Sequence, residues 1–557
     1  MTAAAADAAD AVVIGSGPNG LVAANILADA GWRVEVLEAQ EHPGGAVRSD
    51  RGVHPEFVND LFSSFYPLAA ASPAIRAMRL EEHGLTWSHA PSVLAHPMLD
   101  GRCAVLNRGF EEGTAGIEEQ FGAQDGAAWR RLSGVWRHLD PYLLDALFAP
   151  FPPVRAGLGL AGRLRAAGGL RFLRFAALSA RRLAQEEFTE EGPGLLLAGC
   201  ALHADQLVES PGGAAFGWLL AMLGQQVGWP VPVGGSSALT RALIARLESR
   251  GGTVRCATPV TEVVVRGGRA LGVRTSGGDA VRARRAVLAD VSAPLLYGGL
   301  VGWQHLPAQL RADLRRFQWD YATVKVDWAL SGPIPWTAAE AGTAGTVHLA
   351  ADMQELSDFA HQVATGRIPE RPFGLLGQMT TADATRSPAG TESAWMYTHV
   401  PQHVLDDLGP QGLTGRWDEH EAQAMAERME QQVERFAPGF RDLIAARRVL
   451  TPHTFQALNA NLTAGALNGG TVAPHQQLFL RPTPGTGRPE TPVTGLYLAS
   501  SSAHPGGGVH GACGANAARA AIRGHRANGV FAAGWSRAQR GLAGRPDATR
   551  PPAGREK

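Results

Sequence analysis

A glycine turn near the start of the chain constrains the fold more than any other feature of the sequence. The segment V-V-I-G-S-G-P-N-G-L-V-A-A, residues 12–24, predicts a short strand, a turn built on Gly15, Gly17 and Gly20, and a helix. In such a turn the first glycine permits the sharp bend, the second lets backbone approach a pyrophosphate, and the third lets helix and strand pack closely. The free N–H groups at the helix start favour an anion. The pattern therefore predicts a βαβ unit that binds a dinucleotide.

An acidic residue stands where this interpretation needs one. Glu38 follows the second predicted strand, 32–37, and lies 18 residues after Gly20. A carboxylate at this place accepts hydrogen bonds from ribose hydroxyls and disfavours the 2′-phosphate of NADP. The turn by itself does not distinguish FAD from NAD.

Three further stretches carry a resemblance to a known family. Gly44 and Gly45 are followed by Arg48 and Ser49, and this run resembles the flavin-binding start of the phytoene desaturase and amine oxidase superfamily. Residues 228–243, with the strand that begins at Val260, resemble its second FAD-contacting segment. Residues 496–521 resemble its C-terminal flavin loop, particularly in the branch of phytoene-dehydrogenase-related proteins. The resemblance extends from about residue 12 to residue 522.

The resemblance implies FAD as the cofactor, with noncovalent attachment favoured over covalent. Cys513 lies near the place where some amine oxidases attach the flavin, but its surroundings do not match that pattern, and a small buried thiol is the better interpretation. The expected cofactor-binding residues are Gly15, Ser16, Gly17, Pro18, Asn19, Gly20, Glu38, Ala39, Gly44, Gly45, Arg48, Ser49, Val260, Gly506, Gly507, Gly508, Val509 and Asn516.

A second G-x-G-x-x-G occurs at Gly506, Gly508 and Gly511, yet it does not predict a separate NAD site. Residues 500–505 separate it from the preceding strand, and no acidic residue lies about 20 positions downstream. We interpret this loop as backbone amides that face the flavin.

Composition excludes several classes of function. The chain has 51 Lys and Arg against 51 Asp and Glu, so no net field attracts nucleic acid. The four cysteines form no C-x-x-C pair, and the histidines lack metal-ligand spacing, so we assign neither a dithiol nor a metal site. No secretion signal and no apolar run of about 18 residues is evident, which favours a cytoplasmic protein.

We expect an α/β fold in which a Rossmann-type FAD-binding domain is assembled from discontinuous segments, with a helical cap and a mixed α+β substrate domain. The FAD domain is assigned residues 1–54, 228–300 and 491–530. The cap is assigned residues 55–227 and the remaining substrate domain residues 301–490, while residues 531–557 are expected to form a helix end and a disordered tail.

Candidate residues for chemistry are few, because hydride transfer to flavin N5 depends mainly on placing the substrate C–H. His504 and His510 flank the triple glycine and are the catalytic candidates, as groups that accept or relay a proton. A purely structural role in the loop is the alternative for both. Asp60, Tyr66 and His203 are the candidates for lining the substrate cavity.

The leading functional hypothesis is desaturation of an apolar polyene, isoprenoid or other lipid-like molecule, with reoxidation of the flavin by oxygen or a quinone. An amine or imine-forming oxidase is the first alternative. A flavin-dependent isomerase and a non-catalytic flavoprotein remain open, as does the oligomeric state.

One charge pattern bears on the membrane. Residues 151–182 contain seven arginines and no acid, interleaved with Leu, Phe and Ala. Peripheral contact with an anionic membrane and a solvated arginine face are both compatible with this pattern.

Overall fold

The computed structural model of the protein describes residues 8–166 and 168–526. The predicted tail, 531–557, lies outside the described residues. None of the helices in the described ranges combines the length and the apolar run that crossing a bilayer requires.

Short strands and mostly short helices alternate along the chain. The strands are β1 (Ala9–Ile14), β2 (Val34–Leu37), β3 (Ser49–Asp50), β4 (Asn59–Asp60), β5 (Trp87–Ser88), β6 (Ser92–Pro97), β7 (Cys103–Leu106), β8 (Val231–Pro232), β9 (Thr253–Arg255), β10 (Val260–Arg266), β11 (Arg269–Thr275), β12 (Ala280–Ala289), β13 (Ala322–Leu330), β14 (Ala344–Leu349), β15 (Arg367–Ile368), β16 (Gly374–Gln378), β17 (Glu392–Val400), β18 (Asp406–Asp407), β19 (Ile444–Leu450) and β20 (Leu496–Leu498). The helices are α1 (Pro18–Asp29), α2 (Pro67–Ala71), α3 (Pro73–Arg76), α4 (Phe110–Phe121), α5 (Ala123–Phe148), α6 (Val154–Ala166), α7 (Leu170–Ala177), α8 (Ala180–Glu187), α9 (Glu191–Ala201), α10 (Gly213–Val227), α11 (Ser237–Glu248), α12 (Ala293–Leu295), α13 (Ala308–Leu314), α14 (Met353–Ala364), α15 (Met379–Ala382), α16 (Glu419–Glu434), α17 (Pro452–Leu458) and α18 (Ala512–Arg526).

The first sheet unites three distant parts of the chain. Its order is β10-β11-β12-β1-β2-β9, and β20 also pairs with β12. The pairs β1–β2, β1–β12, β2–β9 and β12–β20 are parallel. Every residue of β1 is buried, as the continuous apolar run of a central parallel strand requires. Helices α1 and α18 pack on one face. The predicted α/β fold with a discontinuous dinucleotide domain is confirmed.

The second sheet carries the substrate region. Its seven strands follow the order β19-β13-β17-β16-β14-β6-β7. Strands β6 and β7 fall in the segment 55–227, which the sequence analysis took as helical. All residues of both strands are buried, so the polar and apolar alternation that marks a half-exposed strand is absent from them.

The helical cap is formed by α4 to α10. Trp129, Trp136 and Trp218 lie at its centre, each no more than 1% exposed. The rings of Trp136 and Trp218 meet edge to face with their centroids 5.3 Å apart. This core fixes the cap beside the second sheet, so cap and sheet enclose the space described next.

Candidate functional site

One cavity of about 820 Å³ extends from the glycine turn to the helical cap. Its walls come from the first sheet, from the face of the second sheet that carries Thr323, Lys325 and Tyr397, and from cap helices. A site for a dinucleotide and a site for a second molecule are therefore parts of one continuous space.

The glycine turn has the close contacts that the sequence predicted. A Cβ on Gly20 would lie 2.3 Å from the carbonyl oxygen of Gly15, and Gly15 itself has a φ of +92°. Helix α1 has no side-chain cap at its start. Pro18 carries no N–H, the Gly20 N–H donates to Asp290 and the Leu21 N–H to Gly17, so the Asn19 N–H of the first turn stays available to an anion.

The second glycine pair packs onto this turn. The Gly44 N–H donates to Ser16 Oγ at 3.1 Å, and a Cβ on Gly45 would lie 2.9 Å from Gly17 Cα. Neither glycine of the pair tolerates a side chain, because both also have positive φ. The two glycine segments thus form one backbone-lined cradle.

Glu38 lies on the cavity wall at the end of β2. Its carboxylate accepts from the Ser16 N–H at 2.9 Å, from Ser16 Oγ at 2.6 Å and from the Gln40 N–H at 2.9 Å. The carboxylate is therefore held in one orientation at the position predicted for a ribose contact. Arg48 lies nearby with its guanidinium bonded to the carbonyls of Gly45 and Leu458.

The predicted cofactor residues divide into two groups. Those that line the cavity are Gly15, Gly17, Pro18, Asn19, Glu38, Ala39, Gly45, Arg48, Val260, Gly507, Gly508 and Val509. The remaining ones, which support the wall from behind, are Ser16, Gly20, Gly44, Ser49, Gly506 and Asn516. Ser49 exchanges hydrogen bonds with Ser237 at the start of α11, and Asn516 Nδ2 donates to the carbonyl of Phe148.

Asp290, at the end of β12, was missed by the sequence analysis. Its Oδ2 accepts from the Gly20 N–H at 2.8 Å and would lie 2.6 Å from a Cβ on Gly17. Burial raises the pKa of this carboxyl to about 7. A strand end that meets a glycine turn is a recognisable place for such a residue, but the pairing of β12 with β1 is a long-range contact that spacing does not show.

The two candidate catalytic histidines differ in how many of their ring nitrogens form hydrogen bonds with the loop. For His510, Nε2 bonds the carbonyl of Gly506 at 3.2 Å and Nδ1 accepts from the Ala512 N–H at 3.0 Å, so both nitrogens serve the loop. For His504, neither nitrogen has a hydrogen bond of normal geometry among the described residues, although the Ala149 carbonyl raises its pKa. Burial nevertheless lowers the pKa of both rings to about 4. Both line the cavity as neutral groups.

Only two of the three candidate substrate residues lie on the cavity wall. Tyr66 and His203 line the cavity, whereas Asp60 does not. Asp60 is fully buried, accepts from Arg386 at 3.0 Å and from the Ser236 N–H at 2.8 Å, and receives Lys325 on its carbonyl. Its placement on the substrate wall was therefore wrong, because a buried carboxylate is stable only where a cation and N–H groups compensate it.

Lys325, in the middle of β13, is a second residue that the sequence analysis missed. The residue lines the cavity, and its ammonium pairs with Asp327 and lies 5.7 Å from the centre of the Trp395 ring. Burial lowers its pKa. The alternation of Thr323, Lys325 and Asp327 along β13 is the only signal in the sequence that one polar face of a strand points into the interior.

Comparison with known proteins identifies the family. Residues 13–78 match the NAD(P)-binding Rossmann-like domain, and residues 112–310 match the flavin containing amine oxidoreductase family. The chain is 30% identical to pyridine nucleotide-disulfide oxidoreductase domain-containing protein 2 of Mus musculus, over 92% of this chain and 93% of the mouse protein. The chain belongs to the phytoene desaturase and amine oxidase superfamily of flavoproteins. Within this superfamily it is 27% identical to hydroxyneurosporene desaturase of Cereibacter sphaeroides, over 89% of this chain and 94% of that enzyme.

Solved structures share the fold of this chain. An oxidoreductase from Methanosarcina mazei aligns with a TM-score of 0.58 at 15% identity, over 92% of this chain and 99% of the other. Putrescine oxidase bound to putrescine aligns with a TM-score of 0.57 at 16% identity, over 92% and 98%. As a member of this superfamily the protein is an FAD-dependent oxidoreductase, and small organic molecules are the substrates of such enzymes.

The residues present fit FAD. The cradle formed by Gly15, Gly17 and Gly45 has the close approaches that only backbone allows, which suits a pyrophosphate. Glu38 and Val260 also line the cavity, where Glu38 would accept hydrogen bonds from ribose hydroxyls and Val260 would add an apolar wall. The loop of Gly507, Gly508 and Val509 lies on the cavity wall, where the family's flavin loop is expected. No group of three or more His, Cys, Asp or Glu side chains in the described ranges has the arrangement of a metal site.

Proposed function

We propose that the protein is a desaturase that oxidises an apolar, polyene-like or isoprenoid-like molecule. The supporting observation is the chemistry of the cavity wall. Glu38 and Asp290 are the only acidic residues among the described lining residues, and both lie against the glycine turn. The cap and floor are lined mainly by Leu, Ala, Phe and other apolar side chains, which favour a substrate without a charge.

The protein's own residues hold the substrate and exclude water, and FAD, when bound, supplies the acceptor for the hydride. Phe148, Phe216 and Leu219 provide apolar wall on the cap side. His504 is the polar group that we propose takes up the one proton lost together with the hydride, because it lines the cavity, is neutral and has no well-formed hydrogen bond within the described residues. His510 supports the loop instead. Reoxidation by oxygen or a quinone completes the cycle that we propose.

Anaerobic reduction of the bound flavin tests this proposal. We expect a C15 or C20 polyene to bleach the flavin absorbance, while simple amines leave it unchanged. Ala215, a small residue on the cavity wall, offers a variant: Ala215→Trp fills the space and is expected to abolish bleaching by substrate but not by dithionite. Ala339→Trp, on the exposed surface, is the matched control and is expected to behave as the wild type. Bleaching that survives in Ala215→Trp contradicts the assignment of the cavity.

Amine oxidation is the second candidate, and one observation favours it. Trp395 and Tyr397 line the cavity with their rings nearly parallel, 21° apart, at a centroid distance of 5.9 Å. Aromatic faces bind amines, but the Lys325 ammonium already lies against the Trp395 ring. Bleaching by amines with no response to polyenes would make this candidate the function.

Isomerisation without any net consumption of oxygen or dye would support the isomerase instead, and a flavin that neither a polyene nor an amine reduces would support the non-catalytic role.

We also propose that α6 and α7 contact an anionic membrane, from which such a substrate would enter. Leu158, Leu170 and Leu173 are 72%, 82% and 59% exposed. Arg155 and Arg171 have no acidic partner among the described residues, whereas other arginines of this stretch pair with Glu186 and Glu209. Apolar side chains beside unpaired arginines suit an anionic lipid surface. Ala176 of α7 lines the cavity, so this surface borders it.

Sedimentation with vesicles tests the membrane contact. We expect binding to phosphatidylglycerol vesicles and much less to phosphatidylcholine vesicles. The double variant Leu170→Ser, Leu173→Ser is expected to lose most of the binding. Leu99→Ser, Leu405→Ser removes two equally exposed leucines elsewhere and serves as the control. Equal binding by both double variants would contradict the assignment of this surface.

A further inference from the structure

Two neighbouring histidines lie on the cap side of the cavity, His203 on its wall and His348 buried behind it. His203 follows α9 and lines the cavity, and its Nε2 lies 2.8 Å from Nε2 of His348 on β14. Burial lowers the pKa of His203 to about 3, and that of His348 well below its ordinary value. Both rings are therefore neutral, so one Nε2 carries a hydrogen and donates it to the other.

The surroundings hold this pair in one geometry. The Trp229 ring meets the His203 ring edge to face, with centroids 5.0 Å apart. The His348 ring occupies space that Gly199 of α9 leaves open, since a Cβ there would lie 2.0 Å from His348 Nδ1. Because Gly199 has no side chain, α9 can pack directly against the His348 ring.

The second nitrogen of His348 decides which histidine donates. His348 Nδ1 is buried and has no hydrogen-bond partner among the described residues. A buried N–H without an acceptor is rarer than a buried acceptor without a donor. We therefore assign the His348 hydrogen to Nε2, which donates to His203 Nε2. His203 must then carry its own hydrogen on Nδ1, the nitrogen that has no hydrogen bond to the described part of the protein.

A hydroxyl lies on the same wall. Tyr397 of β17 lines the cavity, and its hydroxyl makes no hydrogen bond to the described residues. Leu375 of β16 stands between Tyr397 and His348 in the sheet register, so the three residues share one face of the second sheet, with Tyr397 on the cavity wall. None of the three residues is acidic.

We propose that His203 Nδ1–H is a donor for an oxygen atom of the substrate, and that His348 is the positioning residue that fixes this donor. The substrate class is then an apolar molecule with one uncharged oxygen function, a hydroxyl or a carbonyl, rather than a pure hydrocarbon. This inference rests on the proposed function, because it assumes that the apolar cavity holds the substrate.

Binding of three compounds with one carbon skeleton tests the substrate class. Farnesol and farnesal carry the oxygen, and farnesene lacks it. We expect the FAD-loaded protein to bind the alcohol or aldehyde about 3- to 10-fold more tightly than the hydrocarbon, as one net hydrogen bond allows. His203→Leu should remove the preference, and Gly199→Ala should weaken it by displacing His348. His96→Gln changes a neighbouring buried histidine that does not line the cavity, and should leave the preference intact.

The hydrogen positions are tested separately, on wild-type protein, by ¹⁵N NMR of the histidine rings. We expect His203 to carry its hydrogen on Nδ1, and His348→Leu to shift it toward Nε2. A wild-type His203 with its hydrogen on Nε2, or equal affinity for farnesol and farnesene, overturns the inference. Neither measurement requires turnover. Failure of the desaturase proposal would therefore appear as farnesol that binds in the cavity without reducing the flavin.

Discussion

At Gly20 the first turn of α1 passes so close to the preceding strand that only a hydrogen atom fits. We expect Gly20→Ala to lower FAD affinity at least 10-fold, because its Cβ would lie 2.3 Å from the Gly15 carbonyl oxygen, which belongs to the cradle. The flavin-to-protein ratio after purification measures this. Gly134→Ala is the control: Gly134 lies inside α5 with no atom near its Cβ position, so alanine should stabilise the helix by about 0.5–1 kcal/mol and leave flavin content unchanged.

Asp290 makes the stability of the FAD-free protein depend on pH. Burial raises its pKa from 3.8 to about 7, so the folded chain binds this proton more tightly than the unfolded chain does. The contribution to stability is full below about pH 4 and is lost as pH rises through 7. Asp290→Asn keeps an acceptor for Gly20 but does not titrate. Between pH 5 and pH 8 we expect the variant to gain about 2–3 kcal/mol relative to wild type in urea unfolding. Parallel pH curves would mean that Asp290 is ionised throughout.

Individual residues were predictable where their role is local. Gly15, Gly17 and Gly45 act through backbone within one turn, and their spacing shows it. Asp60 and Lys325 act through partners hundreds of positions away, and no local pattern distinguishes a buried carboxylate with a cation from one on a cavity wall. His203 was correctly placed on the wall, but its partner His348 depends on how α9 packs against the second sheet.

At the scale of the elements, Arg448 of β19 joins the second sheet to β3, the short strand that follows the second glycine pair. Its guanidinium bonds both oxygens of Asp50 at 2.9 and 2.8 Å, and Asp327 at 2.8 Å. We expect Arg448→Ala to lower the free energy of unfolding by about 2–4 kcal/mol, because Asp327 is fully buried and loses a cation.

Chemical denaturation measures this loss, with Arg130→Ala as its control. The pair of Arg130 and Glu118 is about half exposed on both sides, so its removal should cost at most about 0.5 kcal/mol. Equal losses in both variants would show that Arg448 does not clamp the two regions.

The sequence predicted elements well where a glycine turn marks their ends, as at β1 and α1. It missed β6 and β7, because every residue of both strands is buried and β6 pairs with β14, which lies far along the chain. Burial of an entire short strand removes the alternation on which such a prediction depends.

Over the whole molecule, one cavity connects the FAD domain, the second sheet and the cap. Binding of FAD should therefore stabilise the cap as well as the domain that holds the cofactor. At 100 times its dissociation constant, FAD should add about 2.7 kcal/mol to the unfolding free energy. Thermal unfolding followed by fluorescence of the buried cap tryptophans should shift upward together with release of the flavin. A cap transition that ignores added FAD would show that the cap unfolds independently.

The late position of β20 has a consequence for biosynthesis. β20 and the loop of Gly507 and Gly508 are synthesised after β1 and β12, with most of the described chain lying between β1 and β20. At about 5–20 residues per second, the edge of β12 that β20 covers waits roughly 10–40 s for its partner. During that time the nascent chain has a glycine turn but an incomplete flavin site. Cofactor capture should therefore wait for β20 and this loop, and until then β12 has an unpaired edge that is open to non-native pairing.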